Sequence, residues 1–110
     1  MAVDKITNVV TSGSNADGNY IKFADGTMIE YGSFSASLTA NNYTEYELKF
    51  PVEFNSYPSL TLCPELWADP RNYSWIIKSK GTAKPVLRLG NTGSAQTVDW
   101  RWIAVGRWKA

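Results

Sequence analysis

Val98-Asp99-Trp100-Arg101-Trp102-Ile103-Ala104-Val105-Gly106-Arg107-Trp108 is the stretch on which the reading of this sequence turns. It carries three of the five tryptophans. Side chains alternate across a strand, so Val98, Trp100, Trp102, Ala104, Gly106 and Trp108 share one face. Asp99, Arg101, Ile103, Val105, Arg107 and Lys109 share the other. A strand with one solvated face keeps a clean polar/apolar alternation. Here both faces are apolar from Trp102 to Gly106, and the charges sit at the ends. The pattern predicts a central strand buried on both sides at its midpoint. In a chain of 110 residues one side is the domain's own core, and a partner subunit is the expected cover for the other.

The runs upstream read the same way. Tyr43 to Phe50 alternates, with Thr44, Tyr46, Leu48 and Phe50 on one face and Tyr43, Glu45, Glu47 and Lys49 on the other, as in a half-buried antiparallel strand. Pro51 lacks an N–H and ends that ladder. Ser59 to Pro64 is a short strand with Leu60 and Leu62 inward and Cys63 as a small hydrophobe in the fold. Tyr73 to Ser79 places Tyr73, Trp75 and Ile77 on one face, Val86 to Leu89 is a further short strand, and Gly90 to Gln96 is a glycine-rich loop. Tyr20–Phe23 and Met28–Phe34 flank Asp25-Gly26, the signal for a tight type I′ hairpin. Ser35 to Asn42 reads as a polar loop, and residues 1–17 as an extended segment or linker before a domain over 18–110. Six to seven short strands without a helical period predict an all-β antiparallel β-sandwich.

Composition narrows the function. Eleven Lys and Arg against ten Asp and Glu, without runs, give no basic stripe for nucleic acid and no polybasic membrane patch (net charge +1). No segment approaches the ~20 apolar residues of a spanning helix, so no membrane insertion is expected. The first ten residues lack a basic, then apolar, leader pattern, and no signal peptide is expected. A single cysteine cannot form an internal disulfide and fits synthesis in a reducing compartment. There is no histidine, which removes the usual general base and the commonest metal ligand. No acid-rich motif, phosphate loop or ligand cluster stands out. Neither an enzyme nor a cofactor or metal is expected.

Three blocks in order, Gly18 to Gly32 (GNYIKFADGTMIEYG), Phe50 to Phe54 (FPVEF) with Tyr57-Pro58, and Trp102 to Trp108 (WIAVGRW), resemble the C-terminal domain of bacteriophage tail-fibre proteins. The resemblance covers residues 18–108 and implies a fold similar to the H-type lectins, six-stranded sandwiches that assemble as parallel trimers. It implies a homotrimeric fibre tip that meets host cell-surface glycan such as lipopolysaccharide. Its location would be a virion tail fibre made in the host cytoplasm, or a prophage or bacteriocin-type particle. H-type lectins carry a Trp-His pair in the loop before the last strand; Gly90 to Gln96 has neither, so those sugar contacts do not transfer.

Glycan recognition needs aromatic faces beside carboxylate, amide and guanidinium groups. Trp67, Asp69, Arg71 and Tyr73 supply these within one loop, and Asp99, Trp100 and Arg101 supply them at the start of the last strand. The same residues also suit a structural loop with Trp67 plugging the sandwich and Asp69 paired to Arg71, and an ordinary buried strand end at Trp100. Trp102, Ile103, Val105 and Trp108 read as core and trimer contact. The expected function is a non-catalytic receptor-binding head. The rival is a structural trimerisation or capping module at a fibre end.

Overall fold

The computed structural model describes residues 9–65 and 70–110. Among them are eight strands: β1 (Val9–Asn15), β2 (Gly18–Phe23), β3 (Thr27–Leu38), β4 (Asn42–Glu47), β5 (Ser59–Glu65), β6 (Tyr73–Ser79), β7 (Val86–Asn91) and β8 (Gln96–Arg107), with one 3-10 turn at Pro70–Asn72. All pairings are antiparallel. One sheet has the order β1-β2-β3-β8-β5 and the other β4-β7-β6. This is the all-β, two-sheet architecture that the alternation predicts.

β8 is the central strand of the larger sheet. It pairs with β3 from Thr27–Arg107 to Leu38–Gln96, and with β5 from Ser59–Val105 to Glu65–Asp99. Its inward residues Val98, Trp100, Trp102 and Ala104 are at most 4% exposed. Trp108, at the strand's end, is half-buried and donates its indole N–H to the Phe23 carbonyl (2.8 Å). On the outward face Ile103 and Val105 remain 44% and 42% exposed. Within a single chain, therefore, β8 is buried on one side only.

A column of rings ties the sheets together. Tyr46 stacks on Phe34 (4.2 Å, 9°), Phe34 lies parallel to Trp100 (6.2 Å, 7°), and Trp75 meets Trp100 edge-on (5.4 Å, 78°). Phe34 and Trp100 belong to the larger sheet, Tyr46 and Trp75 to the smaller. Burying a tryptophan removes about 150–250 Å² from water, worth roughly 4–6 kcal/mol at ~25 cal/mol per Å². The indole N–H groups of Trp100 and Trp102 are buried without partners, at a cost of about 1–3 kcal/mol each. Burial outweighs it. Trp102 fits because Gly32, opposite it on β3, has no side chain: a Cβ there would lie 3.0 Å from the indole Nε1.

Three local expectations are corrected. The Asp25-Gly26 turn is not type I′, which needs positive φ at two successive residues. Only Gly26 has it (φ 98°), and its N–H donates to the Phe23 carbonyl (3.0 Å), so the loop is one residue longer. Ser35 to Leu38 is strand, not loop, because Ser33, Ser35 and Ser37 alternate outward against inward Phe34, Ala36 and Leu38. Cys63 is exposed, since Leu62 takes the inward position beside it. Within residues 1–17, read as an extended segment or linker, Val9–Asn15 are extended as strand β1, exposed along its length and paired with β2.

One core position is chemically unusual. Glu30, on β3 between Tyr20 and Ala104, is 0% exposed, and neither carboxylate oxygen has a hydrogen-bond partner. Burial raises its pKa to about 7. The Val52 amide is near enough to favour the charged form without forming a hydrogen bond, and the Lys22 charge opposes burial only in part.

Candidate functional site

On the outward face of the larger sheet, strand register places Ser33–Arg101–Cys63 in one row and Ser35–Asp99–Glu65 in the next. The polar ends of these rows line a concavity of about 430 Å³ together with Phe34. Arg101 is fixed by a diagonal ion pair to Glu65, and Asp99 accepts the Ser35 hydroxyl. The Arg101 side chain is 72% exposed and that of Glu65 42%, so their pair contributes only about 0–1 kcal/mol to stability. Its effect is orientation: guanidinium, carboxylate and hydroxyl groups converge on one solvent-facing groove. Such a set can share hydrogen bonds with a polyol. Alternation places Asp99 and Arg101 outward, and the register of β5 adds Glu65, which the sequence reading missed.

Trp100, expected beside them, is not in the groove. It is 0% exposed and faces the other way, into the ring column. Flanking charges marked the strand as exposed there, yet they sit on its opposite face. Tyr73 is likewise corrected. It is 8% exposed, and its hydroxyl donates to Gln96. Both residues are structural. Trp67 and Asp69 lie outside the described residues. Arg71 sits exposed on the turn Pro70–Asn72 that leads into β6. That turn is held to the loop after β7, where Thr92 N–H donates to the Asn72 carbonyl (2.9 Å). Glu65, at the other end of the β5–β6 connection, is the residue that reaches the groove.

Beside the groove, the same sheet face turns apolar. Ile21, Ile29 and Val105 form one cross-strand row, with Tyr31 and Ile103 in the next. Tyr31 is 43% exposed, comparable with Ile103 and Val105. On the outer face of the smaller sheet, Glu45 pairs with Lys78 (2.5 Å) and Arg88 (3.4 Å). These hold the Glu45 carboxyl below its usual pKa, the Lys78 hydrogen bond most strongly. The Arg88 guanidinium stacks on Tyr43 (4.3 Å), so its partners lie within its own chain. No helix among the described residues is long and apolar enough to cross a membrane.

Comparison with known proteins gives this geometry a setting. The family described as tail fiber protein gp53-like, C-terminal, matches residues 22–107. Among solved structures, the R1 pyocin fiber of P. aeruginosa superposes with TM-score 0.69 at 18% identity, over 88% of this chain and 28% of that one. An N-truncated R1-type pyocin tail fiber gives 0.69 at 18%, over 87% and 84%. The tailspike protein gp49 from Pseudomonas phage LKA1 gives 0.61 at 17%, over 73% and 15%. At these identities the likeness is one of fold, and the chain spans 28% of the first of these solved chains, which comprises C-terminal residues 323–701 of its fiber. A search of the curated proteins found no match.

Proposed function

Because this chain belongs to the gp53-like C-terminal family of tail fibre proteins, and so to a virion or bacteriocin-type particle, we propose that it is the head that attaches the fibre to host cell-surface glycan, without catalysis. The observation that carries the proposal is the outward groove of Ser33, Ser35, Glu65, Asp99 and Arg101. Its charged groups are held in place by one another yet remain open to solvent. Lipopolysaccharide is the ligand class that fits a fibre meeting a cell envelope.

The head works as a homotrimer in this proposal. An exposed apolar patch on a sheet face marks an interaction surface, and Tyr31, Ile103 and Val105 with their neighbours provide one. Residues 1–17 would lead in from the fibre and 18–110 form the head. A shallow site binds one sugar weakly, and three on a rigid head raise avidity by ~10²-fold or more where geometry allows joint engagement.

The test is attachment by Arg101→Ala and Glu65→Ala chains. Labelled chain is bound to cells or envelope extracts from a panel of candidate hosts, with light scattering to check assembly. Adsorption is expected to fall at least about tenfold with oligomeric state unchanged. If adsorption survives both substitutions, the groove is not the site and the structural capping role gains.

A further inference from the structure

The ring column has an unclaimed end. One face of Tyr46 lies on Phe34, and among the described residues no second ring stacks on it. Tyr46 also borders a separate cleft of about 210 Å³ between the sheets, with Asp17, Phe34, Glu47, Lys49 and Trp102 around it. Tyr46, at the end of the column, thus borders a small hollow with polar residues around it.

The rim is built rather than loose. Asp17 lies in the turn between β1 and β2, where its backbone N–H donates to Asn15 Oδ1 (2.9 Å). Asn15 Nδ2 in turn donates to the Pro51 carbonyl (3.1 Å), pinning the turn to the segment that follows β4. Glu47 and Lys49 alternate outward around inward Leu48 and stand in solvent. Burial first, and the Asp17 charge second, push the Tyr46 pKa up, so its hydroxyl stays a donor at neutral pH.

Resting on the glycan-attachment reading, we infer that this cleft is a second carbohydrate site, taking a single uncharged pyranose ring with its apolar face on Tyr46. Its volume lies below the about 300–1,000 Å³ of drug-sized sites, which limits the occupant to one ring. Aromatic faces take the C–H face of a sugar, and the Asp17 carboxylate can accept from its hydroxyls, while Glu47 and Lys49 project from the opposite side of the strand from Tyr46. The Asp17 carboxylate beside the cleft disfavours a sugar acid. Ser33 and Phe34 border both this cleft and the outward groove. The pairing of β2 with β3 stops at Tyr31, so β2 does not cover the edge of β3 at Ser33. A glycan can therefore cross that edge with successive units in the two sites.

The test follows the Tyr46 ring protons by NMR in the 110-residue chain. The probes are the methyl glycosides of glucose, galactose, mannose and N-acetylglucosamine, with mannitol as an acyclic control. At least one glycoside is expected to shift Tyr46 while mannitol does not, and Asp17→Ala to weaken that response about tenfold or more. Asp17 is exposed, so the fold is expected to survive its substitution. No shift at Tyr46 with any glycoside, equal shifts with mannitol, or shifts confined to Ser35 and Arg101 overturn the inference. The last result would leave attachment standing at the groove; a chain that also fails to adsorb to any cell removes the attachment reading as well.

Discussion

Glu30 offers the sharpest test of the physical reasoning. Its pKa is raised from 4.5 to about 7 by burial, a shift worth about 3 kcal/mol at ~1.4 kcal/mol per unit. A raised pKa means the folded chain holds a proton that the unfolded chain has released. The carboxyl's contribution is fully present below the unfolded pKa, is lost as pH rises through the folded pKa, and is flat above it. Stability should therefore fall by up to about 3 kcal/mol between pH 5 and pH 8. Asp25 and Glu45 have lowered pKa values, so their titrations lie below this window. Urea unfolding followed by tryptophan fluorescence at fixed chain concentration gives the profile. Glu30→Gln should abolish the slope, and Glu30→Met, which buries no polar atom, should also be more stable than the native chain at pH 8. A native profile flat to within about 0.5 kcal/mol across that window would refute the reasoning, because a buried unpaired carboxylate cannot be insensitive to its own ionisation.

Two further outcomes test the core and the assembly. Gly32→Ala puts a methyl 3.0–3.2 Å from three atoms of the Trp102 indole, which is 4% exposed and packed on Phe50. Replacing a strand glycine ordinarily gains stability, but here overpacking should cost about 1–3 kcal/mol by urea denaturation; a gain would mean the indole can move aside. Ile103→Glu puts a charge on the exposed apolar patch. The native chain is expected to sediment as a trimer and the variant as a monomer with unchanged circular dichroism, whereas a monomeric native chain would end the trimer proposal.

The sequence was most readable where alternation was strict. The faces of β8 and of Thr44 to Phe50 follow from spacing alone, since a strand has only two sides. Ser35 to Leu38 reads as a loop because serines suggest loops, although Phe34, Ala36 and Leu38 carry the same alternation into the core. Charged neighbours make Trp100 a site candidate as well as a buried strand end, and the burial follows from alternation, since adjacent residues of a strand point to opposite sides. The burial of Glu30 had a signal too, for it shares parity with Met28 and Phe34. The groove was only half legible: its Asp99 and Arg101 lie on one strand, but Glu65 joins them through strand order and register, which depend on distant pairing.

Central placement of β8 also sets a schedule for synthesis. Its partners on β3 lie far back in the chain, from Leu38 opposite Gln96 to Thr27 opposite Arg107. No local hairpin can substitute for this seam, so closure of the larger sheet waits until residues beyond Gln96 have left the ribosome. Pairings so distant in sequence form slowly, since chain entropy is lost before the contacts that repay it exist. Until then the inner faces of β3 and β5, with Met28, Leu38 and Leu62, stand without their neighbour and are open to intermolecular association. Chains truncated within β8 should therefore accumulate as aggregates rather than as shortened heads.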